Sequence, residues 1–419
     1  MLQEDATGAQ EFFYDRLGNI NKTRRTVIIP NQAIATYVTE WRYGSWNRIT
    51  EMIYPYLEKI TYSYNLGGLL DNVKGYKSYT YGYVRKIGYD KFEQRTYMKY
   101  CNGAETNYTY DNERRRLSNL TVSTPTSGQI MNNAYTFDAV DNILSVKNQI
   151  PAPASGMGHD YSYDGLYRLI SANGSYTGTN SKVANYSLAM SYDNMHNIVS
   201  KKQHLQQSNI VFDGTLKAGY ELSYNYADKP FQISTLQDEN YRTEGDAEKD
   251  KIINEHAYEY DLNGNLIYVN TSKVKQNNTN ESGSGEKKYL WDEENRLLGV
   301  NINGLISSYS YDAGGERVIK TSGDDEGIFV NGIFSDARTS TDNFTAYINP
   351  YLVVTRGGNY TKHIYIGSQR VVSKLGDLDS YGQDPRRIAY AGSEVDHAGK
   401  YKEVQETLFS DCQIFVIHS

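Results

Sequence analysis

The chain has 419 residues, a formal net charge of −7, and 40 Tyr against 11 Phe and 3 Trp, with 35 Gly and only 8 Pro. An apolar share of 39% that already counts Tyr, and a mean hydropathy of −0.66, leave too little Leu, Ile, Val and Phe for one thick dry core and suit a sheet with one wet face. The acidic balance, with no basic block longer than runs such as Arg114-Arg115-Arg116, argues against nucleic acid as a partner. No stretch reaches the ~18 to 20 apolar residues that span a bilayer, so neither a signal peptide, a transmembrane segment nor membrane insertion is expected. Cys101 and Cys412 are two unrelated thiols by their spacing, since neither lies in a CxxC pair.

Residues 1–12 form a short lead-in, and from Phe13 one unit recurs. The clearest copy is Tyr161-Ser162-Tyr163-Asp164-Gly165-Leu166-Tyr167-Arg168-Leu169. It predicts a β-hairpin: Tyr161 and Tyr163, two apart, share a strand face, Asp164 can bond backbone groups ahead of it, Gly165 tolerates a positive φ, and Leu169 begins the return strand. Before it stand Tyr14-Asp15, Tyr43, Tyr64, Tyr89-Asp90, Tyr110-Asp111 and Phe137-Asp138. After it come Tyr192-Asp193, a degraded copy at Tyr226 interrupted by Pro230, Tyr260-Asp261, Trp291-Asp292 and Tyr311-Asp312. The 297 residues from Tyr14 to Tyr311 fall into eleven intervals with a mean of 27, each between 20 and 34. Two strands and a turn need ~15 residues, so the remainder is a connection of variable length.

Gln237 to Glu255, Thr271 to Lys288 and Ser322 to Gly327 read as solvated loops, being rich in charge or in Asn, Ser and Gly. The repeat array thus covers 13–330, and further hairpins without the Asp motif continue over 331–376. From 377 to 419 an irregular, weakly ordered tail is expected, with a short helix at Lys402 to Leu408. The expected fold is all-β, with consecutive hairpins paired into one long sheet.

Known chemical constellations do not fit. The seven His are scattered without HxxxH or HExxH spacing. Asp261, Asn263 and Asn265 alternate like the start of a calcium loop, but Asp261+5 is not Gly and Ser272 stands where a bidentate Glu belongs. No cofactor, metal site or catalytic residue is expected, although a pair of carboxylates on a β surface is an alternative the sequence leaves open. The second alternative is a surface adhesin or carbohydrate-binding module that uses exposed Tyr and the inserted loops.

Tyr-Asp followed by Arg or Asn and Leu at this period resembles the YD repeat of the Rhs family and of related toxin shells and teneurins. Tyr311-Asp312-Ala313-Gly314-Gly315-Glu316-Arg317-Val318 and Tyr347-Ile348-Asn349-Pro350-Tyr351 strengthen the resemblance, which covers about Phe13 to Gly376. It implies a sheet that spirals into a hollow shell enclosing a C-terminal toxin or effector, a partner absent from these 419 residues. It further implies a secreted or cell-surface parent acting in bacterial competition, with secretion components or surface glycans as further partners. Asp384-Pro385 lacks the continuation that a self-cleavage site of that family carries, so the chain is expected to be a piece of a longer polypeptide.

Overall fold

A computed structural model describes residues 1–376 apart from 56, 151–155, 228, 273–284, 324–326, 331–332, 338–340 and 342. Among the described residues the fold is all-β, with 29 strands in one sheet and a separate two-stranded hairpin, Gly327–Val330 with Ile333–Ala337. The one helical turn there is the 3-10 turn Arg356–Gly358, and no helix is long and apolar enough to cross a membrane. Strands pair antiparallel with their chain neighbours, as Gly156–Tyr163 does with Leu169–Thr177 and the latter with Val183–Tyr192.

The repeat motif marks the same irregularity each time. The register slips between Ser162 and Tyr163, whose partner is Leu169, so Ile170 is an extra residue in the return strand. The same slip falls just before Tyr14, Tyr43, Tyr64, Tyr110, Phe137, Tyr192, Tyr226, Tyr260 and Tyr311. Such a bulge bends its strand and increases the local twist. Where the extra residue is Thr50, Ser118 or Ser234, its hydroxyl donates to the carbonyl of Arg42, Thr109 or Asn225 at 3.0–3.2 Å.

Positive φ falls elsewhere than expected. Gly165 is not left-handed; Tyr167 is, at φ 62°. The third residue after the motif Asp takes this conformation in turn after turn, as Gly18, Glu93, Asp141, His196, Gly264, Asn295 and Gly315. A Cβ added at Gly165 meets nothing within 4 Å. Gly165→Ala therefore raises stability by ~0.4–1 kcal/mol through the unfolded chain, whereas Gly264→Ala, at φ 90°, lowers it by about 1 kcal/mol; urea denaturation midpoints of the two variants check the opposite signs.

Several expected boundaries shift. The lead-in of residues 1–12 contains strand Leu2–Asp5 and most of Gly8–Tyr14. The solvated loop expected from Gln237 to Glu255 is largely two strands, Ile233–Thr243 and Ile252–Tyr260. Its charges pair across the sheet instead, Lys251 lying 3.1 Å from Glu239, because a strand with one solvated face accepts charged side chains as readily as a loop does. The middle of the Thr271 to Lys288 insert, residues 324–326 of the Ser322 to Gly327 stretch, and the 377–419 tail, with the helix expected there, lie outside the described residues.

The chain divides into two compact units: Met1–Arg85 with the chain from Tyr289 onward, and Lys86–Lys288. In the first unit the opening and closing strands face one another over a dry core of Val27, Ile29, Val318, Ile319, Ala346, Ile348, Leu352, Val354 and Tyr360. Leu352 is 0% exposed. Lys86–Lys288 has few wholly buried apolar side chains, among them Ile87, Met98, Ala172, Leu216 and Val269.

Candidate functional site

Wherever the repeat carries its Asp, the turn is closed by that carboxylate. Asp164 Oδ1 accepts from the backbone N–H of Leu166 at 2.9 Å and of Arg168 at 3.0 Å, and Oδ2 from Arg168 Nε at 2.7 Å. Asp193 does the same with Met195, Asn197 N and Asn197 Nδ2, and Asp15 with Leu17, Asn19 N and Asn19 Nδ2. Asp138 and Asp292 repeat the pattern with Asn142 and Arg296. Asp261 bonds Asn265 through both oxygens, Asp90 holds Phe92 and Gln94, and Asp312 holds Gly314 and Glu316. Asp111 serves a turn one residue longer, reaching Arg114, Arg115 and Arg116. The would-be calcium ligands of Asp261 and Asn265 are thus spent on each other.

The motif Tyr reaches sideways. Tyr163 OH donates to the Ile143 carbonyl, Tyr192 OH to Leu169 and Tyr110 OH to Arg95, all at 2.8–2.9 Å. Tyr43, Tyr64, Tyr226 and Tyr311 donate to Ile20, Ile49, Ile198 and Leu297. In every case the acceptor is the first return-strand residue of the preceding hairpin. The Arg at the end of the turn reaches forward: Arg168 donates to the Asp193 carbonyl at 3.0 Å and lies 4.7 Å from the Tyr192 ring centroid. Phe137 lacks the hydroxyl and is instead covered by Arg116 at 5.0 Å, and Arg296 lies over Tyr311 at 5.5 Å. Tyr14 OH meets Met1 Sδ. Tyr89, Tyr260 and Trp291 end strands Tyr79–Tyr89, Ile252–Tyr260 and Glu286–Trp291. The predicted residues are therefore not gathered into one site; they form a ladder that staples each hairpin to the next.

These contacts hold Asp15, Asp111, Asp138, Asp164, Asp193, Asp261 and Asp292 below the ordinary carboxyl range. Bonding to Arg116 lowers Asp111 to about 2, the backbone N–H and guanidinium of Arg168 lower Asp164, and Asn197 and Asn19 lower Asp193 and Asp15. A carboxyl depressed on folding contributes stability above its unfolded value, near 3.8 here, and the contribution disappears as pH falls through the folded value. The urea midpoint is accordingly flat from about pH 8 to about pH 5 and falls from about pH 4 towards about pH 2. Asp164→Asn flattens that fall, and a midpoint insensitive to acid contradicts the ladder's carboxylate role.

A second cluster, in the unit of Met1–Arg85 and the chain from Tyr289, is built around a turn without Asp. Tyr54 takes the place of the motif Asp, its N–H bonding the Glu58 carbonyl at 2.9 Å, so Glu58 stands where Arg or Asn stands elsewhere. The Glu58 side chain is 1% exposed and meets Lys362 Nζ at 2.9 Å, Lys374 Nζ at 3.2 Å and the hydroxyls of Tyr81 and Tyr83. Burial alone raises its carboxyl, but the two ammonium groups and two hydroxyls overcome it and hold Glu58 well below the carboxylate range. Burial and the Glu58 charge push Tyr81 and Tyr83 far up, and burial lowers Lys362. Gly75 lies beneath the two Tyr rings, where a Cβ would come within 2.4 Å of Tyr81 and 2.7 Å of Tyr83. Tyr54 OH adds a bond to the His363 carbonyl at 2.7 Å. Sequence reasoning missed the cluster, because its partners lie about three hundred positions apart and its one local sign is a Glu at the Arg position of a turn.

Within Lys86–Lys288 an open concavity of about 530 Å³ is lined by Asp160, Asn173, Tyr186, His204, Lys217 and Tyr241 among others. Tyr186 and Tyr241 lie over Gly174 and Gly219 across the strands, and their hydroxyls meet His159 and His204 at 2.9 Å. Among the described residues no group of three or more His, Cys, Asp or Glu has the geometry of a metal centre.

No protein-family model matches the sequence. Solved structures similar to the chain are those of TcdB2-TccC3 and of TcdB2-TccC3 without its hypervariable C-terminal region, at 13% and 14% identity and TM-scores of 0.44 and 0.46, covering 94% of this chain in both cases. The Tc holotoxin pore of Photorhabdus luminescens is similar at 13% identity and a TM-score of 0.43. This chain covers 21–22% of those chains. Over 102 residues the sequence is 31% identical to the toxin subunit YenC1 of Yersinia entomophaga, a match of 22% of this chain and 10% of that protein. That match bears out the resemblance to toxin-shell repeats read from the motifs.

Proposed function

We propose that the chain is a non-enzymatic length of shell wall from a YD-repeat protein whose parent encloses and delivers a C-terminal toxin. The observation that carries this reading is the use made of the motif: the Tyr hydroxyl and both Asp oxygens are engaged in bonds between and within hairpins, which is the work of a structural repeat. The match to a toxin subunit supports the same direction. The parent is a secreted or cell-surface protein of bacterial competition, and the wall's partners are its own effector and the components that export it. The test is protease protection in the full parent protein. The effector segment resists digestion while the wall is intact and is degraded once the wall is unfolded by urea; degradation at equal rates in both states overturns the reading.

The polar concavity around Tyr186, His204 and Tyr241 favours a second reading, a glycan-binding surface. Saturable binding on a glycan array, lost in Tyr241→Ala, would select it, and a blank array selects the bare wall.

A further inference from the structure

The turn tips of Lys86–Lys288 carry apolar side chains where the backbone geometry forces exposure. Val140, Leu166, Met195, Phe231 and Leu262 occupy five successive turns on one rim, and they are 52%, 58%, 42%, 73% and 101% exposed. A lone exposed apolar residue needs no explanation, but a contiguous row marks an interaction surface. Two of the junctions along this rim are fixed by bonds between neighbouring turns: Arg168 donates to the Asp193 carbonyl, and Asn197 Nδ2 to the Pro230 carbonyl at 2.6 Å.

We propose that this rim docks against the same rim of a second copy of the chain. Successive tips stand two strands apart, ~9–10 Å, so two rims of the same repeat share a pitch and the tips of one seat between those of the other. The carboxylates behind the tips do not oppose this approach, since Asp138, Asp164, Asp193 and Asp261 direct their oxygens back into their own turns. Arg168, the cation of the motif in this row, is turned onto Asp164 and the Asp193 carbonyl, which leaves the rim poorly equipped for an anionic lipid surface. Five tips of this size bury on the order of 100 Å² each, or about 1,000 Å² over both partners, which is the lower bound of a specific interface. The association is accordingly weak, with a Kd in the micromolar range.

Sedimentation velocity on the full 419-residue chain is the test, run with phosphatidylcholine vesicle flotation as a second arm. The wild type shifts from monomer to dimer over about 1–100 μM, and the variant Leu166→Ser, Met195→Ser, Phe231→Ser, Leu262→Ser loses dimerisation at least tenfold while keeping its circular dichroism and thermal midpoint. A wild type that stays monomeric to about 100 μM, a variant that dimerises equally, or flotation with vesicles in place of dimer formation overturns the proposal.

Discussion

Glu58→Ala is expected to lower the free energy of unfolding by about 3–5 kcal/mol, read from urea denaturation. The side chain is 1% exposed, and its removal strands the Lys362 ammonium, also 1% exposed, against the rings of Tyr54 and Tyr360. The cost is that of an uncompensated buried charge rather than the net worth of the ion pair. The double replacement Glu58→Leu with Lys362→Met removes both charges at similar volume and recovers most of the loss. A double variant as unstable as Glu58→Ala contradicts this account of the cluster. Gly75→Ala acts on the same group through the rings of Tyr81 and Tyr83, which the added Cβ would meet at 2.4 and 2.7 Å. Its effect is therefore not additive with that of Glu58→Ala.

Leu352→Ala is expected to cost about 2–5 kcal/mol. Leu352 is 0% exposed in the core shared with Val27, Ile29, Ile319, Ile348 and Val354, where two faces of sheet close on each other and leave little room for collapse into a cavity. The equivalent truncation at Leu166, which is 58% exposed, costs within ~0.5 kcal/mol. Equal losses at the two positions would mean that the described core is not where the fold's apolar burial resides.

The wall was legible in the sequence because its information is local. A Tyr two residues from another Tyr, an Asp and a following Arg or Asn place a strand and a turn without reference to the rest of the chain; the bulge before Tyr163 has no such local sign. The position of the left-handed residue was not legible. It falls three residues after Asp, where Gly18 and Gly264 signal it but Tyr167, Glu93 and His196 do not. At the Tyr64 copy Asn65 stands in for the Asp, its Oδ1 accepting the Leu69 N–H at 3.0 Å. Least legible was the closure of the first strands on the last. Asn349 bonds Thr39 at 3.0 Å and Ala313 N–H bonds Asp5 at 3.2 Å, contacts over some three hundred residues that no local pattern encodes. A composition poor in aliphatics argues against a thick dry core, yet among the described residues most of the buried Val, Ile and Leu lie in one unit.

The Tyr–Asp motif staples neighbouring hairpins into one sheet. Native-state hydrogen exchange on the wild type and Tyr192→Phe tests it most directly. The account predicts slow exchange along Gly156–Tyr163, Leu169–Thr177 and Val183–Tyr192 alike, and in Tyr192→Phe, which removes the bond to the Leu169 carbonyl, faster exchange in both the hairpin of Tyr192 and the one before it. Exchange that rises in the hairpin of Tyr192 alone, or strands that exchange rapidly in the wild type, would contradict it.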